Sequence, residues 1–161
     1  MTMKRLIFAS SCAFAVAMSL MGCGRPFQVY TPPGFIELEN QAPTYAYRAT
    51  TPEGVVVGIQ VVDLEGDNSG NLDFWTRALT LQMRDVSGYA LLATEDVKSR
   101  DGTPGKELRF GHDENSKPFV YRLTVYVKDK HLFLFESGGA KSNFERYEKS
   151  VDWIGQNLRL K

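Results

Sequence analysis

The sequence predicts an α+β fold: one domain in which an antiparallel β-sheet is covered by two amphipathic helices. Three observations carry this. Most apolar stretches between residues 35 and 136 alternate with a period of two and are separated by short turns bearing Gly, Pro, Asn or Asp, the pattern of hairpin-connected strands. Two other stretches, near 71–86 and 142–158, repeat at three and four residues, which places one apolar stripe along a helix. A helix with one apolar face needs a surface to cover, and a sheet supplies it.

The chain opens with a segment outside this domain. Lys4 and Arg5 precede an apolar run from Leu6 to about Met21, interrupted only by Ser10, Ser11 and Ser19. This is the layout of a secretory signal, with a small residue before the cut. The run is shorter than the roughly 20 apolar residues of a membrane-spanning helix, and it stops at Gly22-Cys23-Gly24-Arg25-Pro26, where the proline opposes helix continuation. Leu20-Met21-Gly22-Cys23 resembles the lipobox of bacterial lipoproteins. The resemblance implies cleavage between Gly22 and Cys23, and a covalent diacylglycerol and N-acyl lipid at Cys23. Removing residues 1–22 leaves 139 residues, one ordinary domain.

From Gly24 to Pro33 three prolines favour extended backbone, so this stretch is expected to act as a tether reaching roughly 30 Å. A short strand follows at 35–38. Strands at 44–51 and 54–64 come next, the first placing Tyr45, Tyr47 and Ala49 on one face, the second Val55, Val57, Ile59 and Val61. Thr51-Pro52-Glu53-Gly54 between them has reversing residues, so the two form a hairpin. After the polar loop 65–70, Leu72, Trp75, Leu79, Met83 and Val86 mark a helix over 71–86, with Asn71 as N-cap, Asp73 near the positive end of its dipole and Gly88 at its end.

Strands then return at 89–98 and 107–111, joined through Asp101-Gly102-Thr103-Pro104-Gly105. A polar turn at 112–118 opens the most strongly patterned strand, with Phe119, Tyr121, Leu123, Val125 and Val127 on one side and Val120, Arg122, Thr124, Tyr126 and Lys128 on the other. A tight Asp129-Lys130 turn leads to 131–136, whose Leu132, Phe133, Leu134 and Phe135 are apolar to both sides, as in a central strand covered twice. Gly138-Gly139 is expected to hinge the chain into the last helix. Ser142-Asn143-Phe144-Glu145 reads as its capping box, and Phe144, Tyr147, Val151, Ile154 and Leu158 form its stripe.

This order of elements, with Phe74-Trp75 on the first helix, Gly88-Tyr89 opening a strand, the Asp101–Gly105 turn and a closing helix near Phe144, resembles the Mog1/PsbP-like superfamily. The similarity is nearest to its bacterial lipoprotein and DcrB-like branches and spans about Gly34 to Leu158. It implies an α/β/α sandwich and a non-enzymatic binding or assembly role, and it brings no catalytic residue to transfer.

Composition narrows the chemistry. Without Lys4 and Arg5 the exported part has 17 basic and 19 acidic residues, a net charge of −2, which is no footprint for nucleic acid. Cys12 leaves with the signal and Cys23 carries the lipid, so the domain has no disulfide, thiolate metal site or cysteine nucleophile. The loop Asp63–Phe74 alternates oxygen-bearing side chains, including Asp63, Glu65 and Asp67, as a calcium loop would. It has Asn68 and Phe74 where an EF-hand needs Gly and Glu, and a solvated connection explains it better. Gly66-Asp67-Asn68-Ser69-Gly70 misses the glycine spacing of a G-x-S-x-G nucleophile elbow. His112 and Glu114, on one strand face, are the remaining metal candidates, with His131 the one other histidine; polar turns account for both histidines. The strand aromatics are expected in the core.

The expected protein is therefore a lipid-anchored envelope component with no cofactor beyond its lipid. It would be held to the membrane by Cys23 and bind an envelope protein partner. Gly24 in place of Asp after the anchor resembles lipoproteins sent to the outer membrane, facing the periplasm. A small-ligand carrier would instead show an enclosed apolar pocket between sheet and helix, and a hydrolase a convergent polar cleft with a perturbed acid or base.

Overall fold

The computed structural model describes residues 24–39, 43–65 and 71–161. Gly22, Cys23 and the whole signal segment lie outside the described residues, as does Asp67. Within them the chain runs β1 (Phe27–Gln28), β2 (Ile36–Glu37), β3 (Tyr47–Thr50), β4 (Val56–Asp63), α1 (Leu72–Leu81), β5 (Ala90–Lys98), β6 (Pro104–Glu114), β7 (Lys117–Lys128), β8 (His131–Ala140), α2 (Lys141–Asn157) and β9 (Arg159–Leu160). Strands β2 to β8 form one sheet in the order β2-β3-β4-β8-β7-β6-β5, antiparallel at each pairing. The expected α+β architecture is observed, with α1 on one face and α2 on the other.

β8 is central, as its two-sided apolar pattern requires. Phe133 and Phe135 enter the α2-side core with Tyr47, Ala49, Val57, Ile59, Val151, Ile154 and Leu158. Leu132 and Leu134 enter the α1-side core with Leu108, Phe110, Leu123 and Val125. Each such side chain contributes about 1.5–3 kcal/mol through burial, so this one strand ties two cores together.

Several elements differ from expectation. The turn expected at 112–118 is a two-residue hairpin: β6 continues to Glu114 and β7 starts at Lys117, with Asn115 and Ser116 at φ 50° and 62°. Asp129 and Lys130 turn the next hairpin in the same left-handed region, φ 47° and 64°. Gly138-Gly139 is part of β8 and no hinge. A Cβ on Gly139 would lie 3.3 Å from the Val55 Cα, so glycine there admits close passage of the neighbouring backbone. Because β8 runs straight to Ala140, α2 begins at Lys141 and Ser142 already lies inside the helix. The capping box is therefore not formed. The helix start is held instead by Asn143 Nδ2 donating to the Glu53 carbonyl at 2.8 Å and Tyr147 Oη donating to Glu53 Oε2 at 2.6 Å.

α1 keeps its expected N-cap, with the Asn71 side chain accepting from the Phe74 N–H. After Leu81 the chain widens into a π-helical turn over Gln82–Val86. With more residues per turn, Val86 rotates off the apolar stripe and is 80 % exposed, while Leu72, Trp75, Leu79 and Met83 pack on the core. Tyr45 departs too: Tyr47 pairs with Ile59 while the Ala46 N–H also donates to the Ile59 carbonyl, an irregularity that sends Tyr45 to the face of Gly58, opposite Tyr47.

The N-terminal stretch expected as a free tether is held against the domain. Phe27 is buried, β1 pairs with β9 and Arg25 pairs with Glu37 at 3.1 Å; just past the stretch, Phe35 packs edge-to-face on Tyr147.

Candidate functional site

The hairpin register of β5 to β7 sets up the most concentrated polar arrangement among the described residues. Glu95, Glu107 and Thr124 are successive cross-strand partners, and Arg109 faces Arg122 two pairs further along. All five therefore lie on the face that α2 covers. Asp152 and Glu148, four residues apart on α2, reach the same place from above. The result is a cleft of about 240 Å³ whose lining includes Glu95, Glu107, Arg109, Arg122, Asp152 and Gln156, with Tyr126 and Phe135 at its base. Glycine makes its shape possible: a Cβ on Gly105 would meet the Tyr126 ring at 2.5 Å.

Arg122 is the centre of this cluster. Its Nη2 donates to Glu107 Oε2 and to Asp152 Oδ1, both at 2.8 Å. Arg109 Nε donates to the other Glu107 oxygen at 2.8 Å and its Nη2 to Glu95 Oε2 at 3.3 Å. Burial works against the charge on Glu107, but hydrogen bonds from Arg122 and then Arg109 outweigh it and hold the carboxyl below the usual glutamate range. Burial likewise opposes the Arg122 charge, and Glu107 and Asp152 outweigh it, so the pair is ionised. Nε and Nη1 of Arg122 are buried with no hydrogen-bond partner among the described residues. Glu148 stands 3.7 Å from Nη1, an ion pair beyond hydrogen-bond length, and the Phe144 ring lies 5.8 Å from Cζ.

A second polar group sits on the α1 face, where the sheet extends past that helix. Glu136 accepts from Tyr45 Oη and Gln60 Nε2, each at 2.8 Å. Burial pushes its carboxyl above the usual range, and hydrogen bonds from Tyr45, Tyr121 and Gln60 only partly offset this. Tyr45 reaches it by lying over Gly58, where a Cβ would come within 2.7 Å of the ring. The adjoining cavity is only about 60 Å³.

The sequence-predicted candidates are dispersed. Asp63 ends β4 and faces His131, whose Nε2 lies 3.3 Å from Asp63 Oδ1. Glu65 is exposed beyond it. His112 packs against the Tyr89 ring at 4.9 Å and is opposite Phe119, while Glu114 is exposed at the hairpin end opposite Lys117. Phe119 and Lys128, the β7 partners of His112 and His131, are nine residues apart, so the two histidines stand roughly 30 Å from each other. Among the described residues no three His, Cys, Asp or Glu side chains gather as a metal site would require.

The chemistry of the α2 cleft is ionic pairing. Both Glu107 oxygens accept from arginines, which suppresses their basicity, and Glu136 is enclosed by its own donors. Sequence reasoning placed Arg122 only among the alternate residues of its strand. Its partners Glu107 and Asp152 are 15 and 30 residues distant, and strand register plus helix placement unite them.

No protein-family model matches the sequence, and no curated protein matches it significantly. Solved structures do share its fold. The cyanobacterial PsbP (CyanoP) of Synechocystis is 14 % identical, with a TM-score of 0.56 over 94 % of this chain and 98 % of that one. LpqN of Mycobacterium tuberculosis, described as involved in cell envelope biogenesis, is 9 % identical, with a TM-score of 0.67 over 84 % and 83 %. A Pseudomonas aeruginosa protein of unknown function is 11 % identical, with a TM-score of 0.54 over 87 % and 88 %. At these identities the likeness is one of fold: the chain has the PsbP-like architecture that the order of its elements predicts.

Proposed function

We propose that this chain is a lipid-anchored bacterial envelope protein, held to the membrane by acyl chains on Cys23, whose domain binds or supports another envelope component and catalyses no reaction. The observation that carries this is the Leu20-Met21-Gly22-Cys23 sequence at the end of a signal-like segment, four residues before Phe27 enters the fold. Two or more acyl chains, each buried methylene contributing about 0.8 kcal/mol, hold a domain of this size stably at a bilayer. LpqN, with the same fold, is an envelope biogenesis protein, which agrees with this reading. Gly24 after the anchor favours the outer membrane, facing the periplasm.

A non-enzymatic role is supported by the mutual neutralisation in the α2 cleft and by the separation of the histidines. The cleft is open and charged, unlike the enclosed apolar pocket of a lipophilic carrier. Replacing Cys23 by Ala is expected to move the protein from the membrane fraction to the soluble fraction. Persistent membrane association with the wild-type mobility would contradict the anchor.

A further inference from the structure

The end of the domain where β1 meets β9 is a basic clasp. β1 and β9 pair there, with Phe27 opposite Leu160 and Gln28 opposite Arg159. The Lys161 N–H donates to the Pro26 carbonyl at 2.9 Å and the Arg100 N–H to the Leu158 carbonyl at 2.8 Å. Lys128 Nζ donates to the Leu160 carbonyl at 3.0 Å. Five cationic residues, Arg25, Arg100, Lys128, Arg159 and Lys161, thus stand on or beside a two-stranded unit only two residues long.

The acidic residues bonded to this clasp do not cancel that charge. Asp101 is turned inward, accepting from Ser99, Thr103, Lys128 and the Leu160 N–H. Glu37 pairs with Arg25. Among the described residues Arg100, Arg159 and Lys161 are exposed and form no ion pair. The chain as a whole has no basic excess, and Asp63, Glu65 and Asp129 are exposed at the same end of the sheet, so the cationic character is local to Arg100, Arg159 and Lys161 beside β1 and β9.

We infer that the clasp docks on anionic phospholipid headgroups and sets the orientation of the domain on the membrane. The inference rests on the anchor reading, because four residue steps from Cys23 to Phe27 span at most about 14 Å. A domain tethered so closely must present its clasp end to the bilayer. Arg100, Arg159 and Lys161 then come within reach of the surface potential, whose range is a Debye length of about 8 Å at physiological ionic strength. The opposite end, with the β6–β7 hairpin and the start of α2, is left facing away.

The test uses the full lipoprotein extracted from membranes and reconstituted into vesicles of phosphatidylcholine alone or with about 30 mol% phosphatidylglycerol. Lysines are acetylated and arginines treated with phenylglyoxal, and labelling at each site is read by mass spectrometry. Labelling of Arg100, Arg159 and Lys161 is expected to slow at least about threefold in the anionic vesicles, and the protection is expected to vanish near 0.5 M salt, roughly a 4 Å screening length. Lys117, Lys141 and Arg146, at the far end, are expected to label equally in both. In the Arg159→Glu/Lys161→Glu variant, Arg100 should lose its protection. Equal labelling of the clasp in both vesicles overturns the docking while leaving the anchor intact. A protein that fails to float with phosphatidylcholine vesicles and lacks acyl mass overturns both.

Discussion

Arg122 and Glu107 illustrate how a buried pair differs from its parts. Removing one partner leaves a desolvated charge, which costs about 3–5 kcal/mol, whereas exchanging both for apolar residues of similar size is close to neutral. Arg122→Leu and Glu107→Leu are each expected to lower unfolding free energy by about 3 kcal/mol, and the double variant by clearly less than their sum, as measured by urea denaturation. The pH dependence has a defined sign. The Glu107 carboxyl is held below its ordinary range in the folded state, so its contribution is fully present above the unfolded value of about 4.3 and is lost as pH falls through the folded one. The stability gap between wild type and Glu107→Gln should therefore be constant near neutrality and close in acid. Arg122 was legible in the sequence as a charged residue on an alternating strand, but its burial was not. The pattern Val120-Arg122-Thr124-Tyr126 is that of a solvated face until α2 is laid over it.

At the scale of elements, periodicity located the long strands and both helices, because each has an apolar face several residues long. It failed where an element is too short to have a period. β1 and β9 are two residues each, and the sole hint in the sequence is Phe27, an aromatic residue in a proline-rich stretch. Their pairing depends on Phe27 and Leu160 being buried together and on Asp101 accepting from the Leu160 N–H at 2.7 Å. Phe27→Ala is expected to cost about 3 kcal/mol and to speed hydrogen exchange at Leu160 and Lys161 before the central strands are affected. Unchanged exchange there would show that the clasp is held by other contacts. The π-helical turn after α1 and the missing capping box of α2 both fall at helix ends, where the local sequence pattern did not set the boundary.

The described residues build a seven-stranded sheet with α1 on one face and α2 on the other, and its longer edge strand, β5, carries Glu95, Asp96 and Lys98. Charges on an exposed edge discourage pairing with other strands. The fold resemblance read from aromatic positions and glycine turns agrees with the solved structures that share the architecture, whereas the lipid anchor stands on the signal segment and Cys23 alone. The mass of the intact protein extracted from membranes tests it most directly. A chain beginning at Cys23, without residues 1–22, and heavier than those 139 residues by a diacylglyceryl group and one N-acyl chain is expected. The mass of an uncleaved 161-residue chain, or of a chain with an unmodified Cys23, would contradict it.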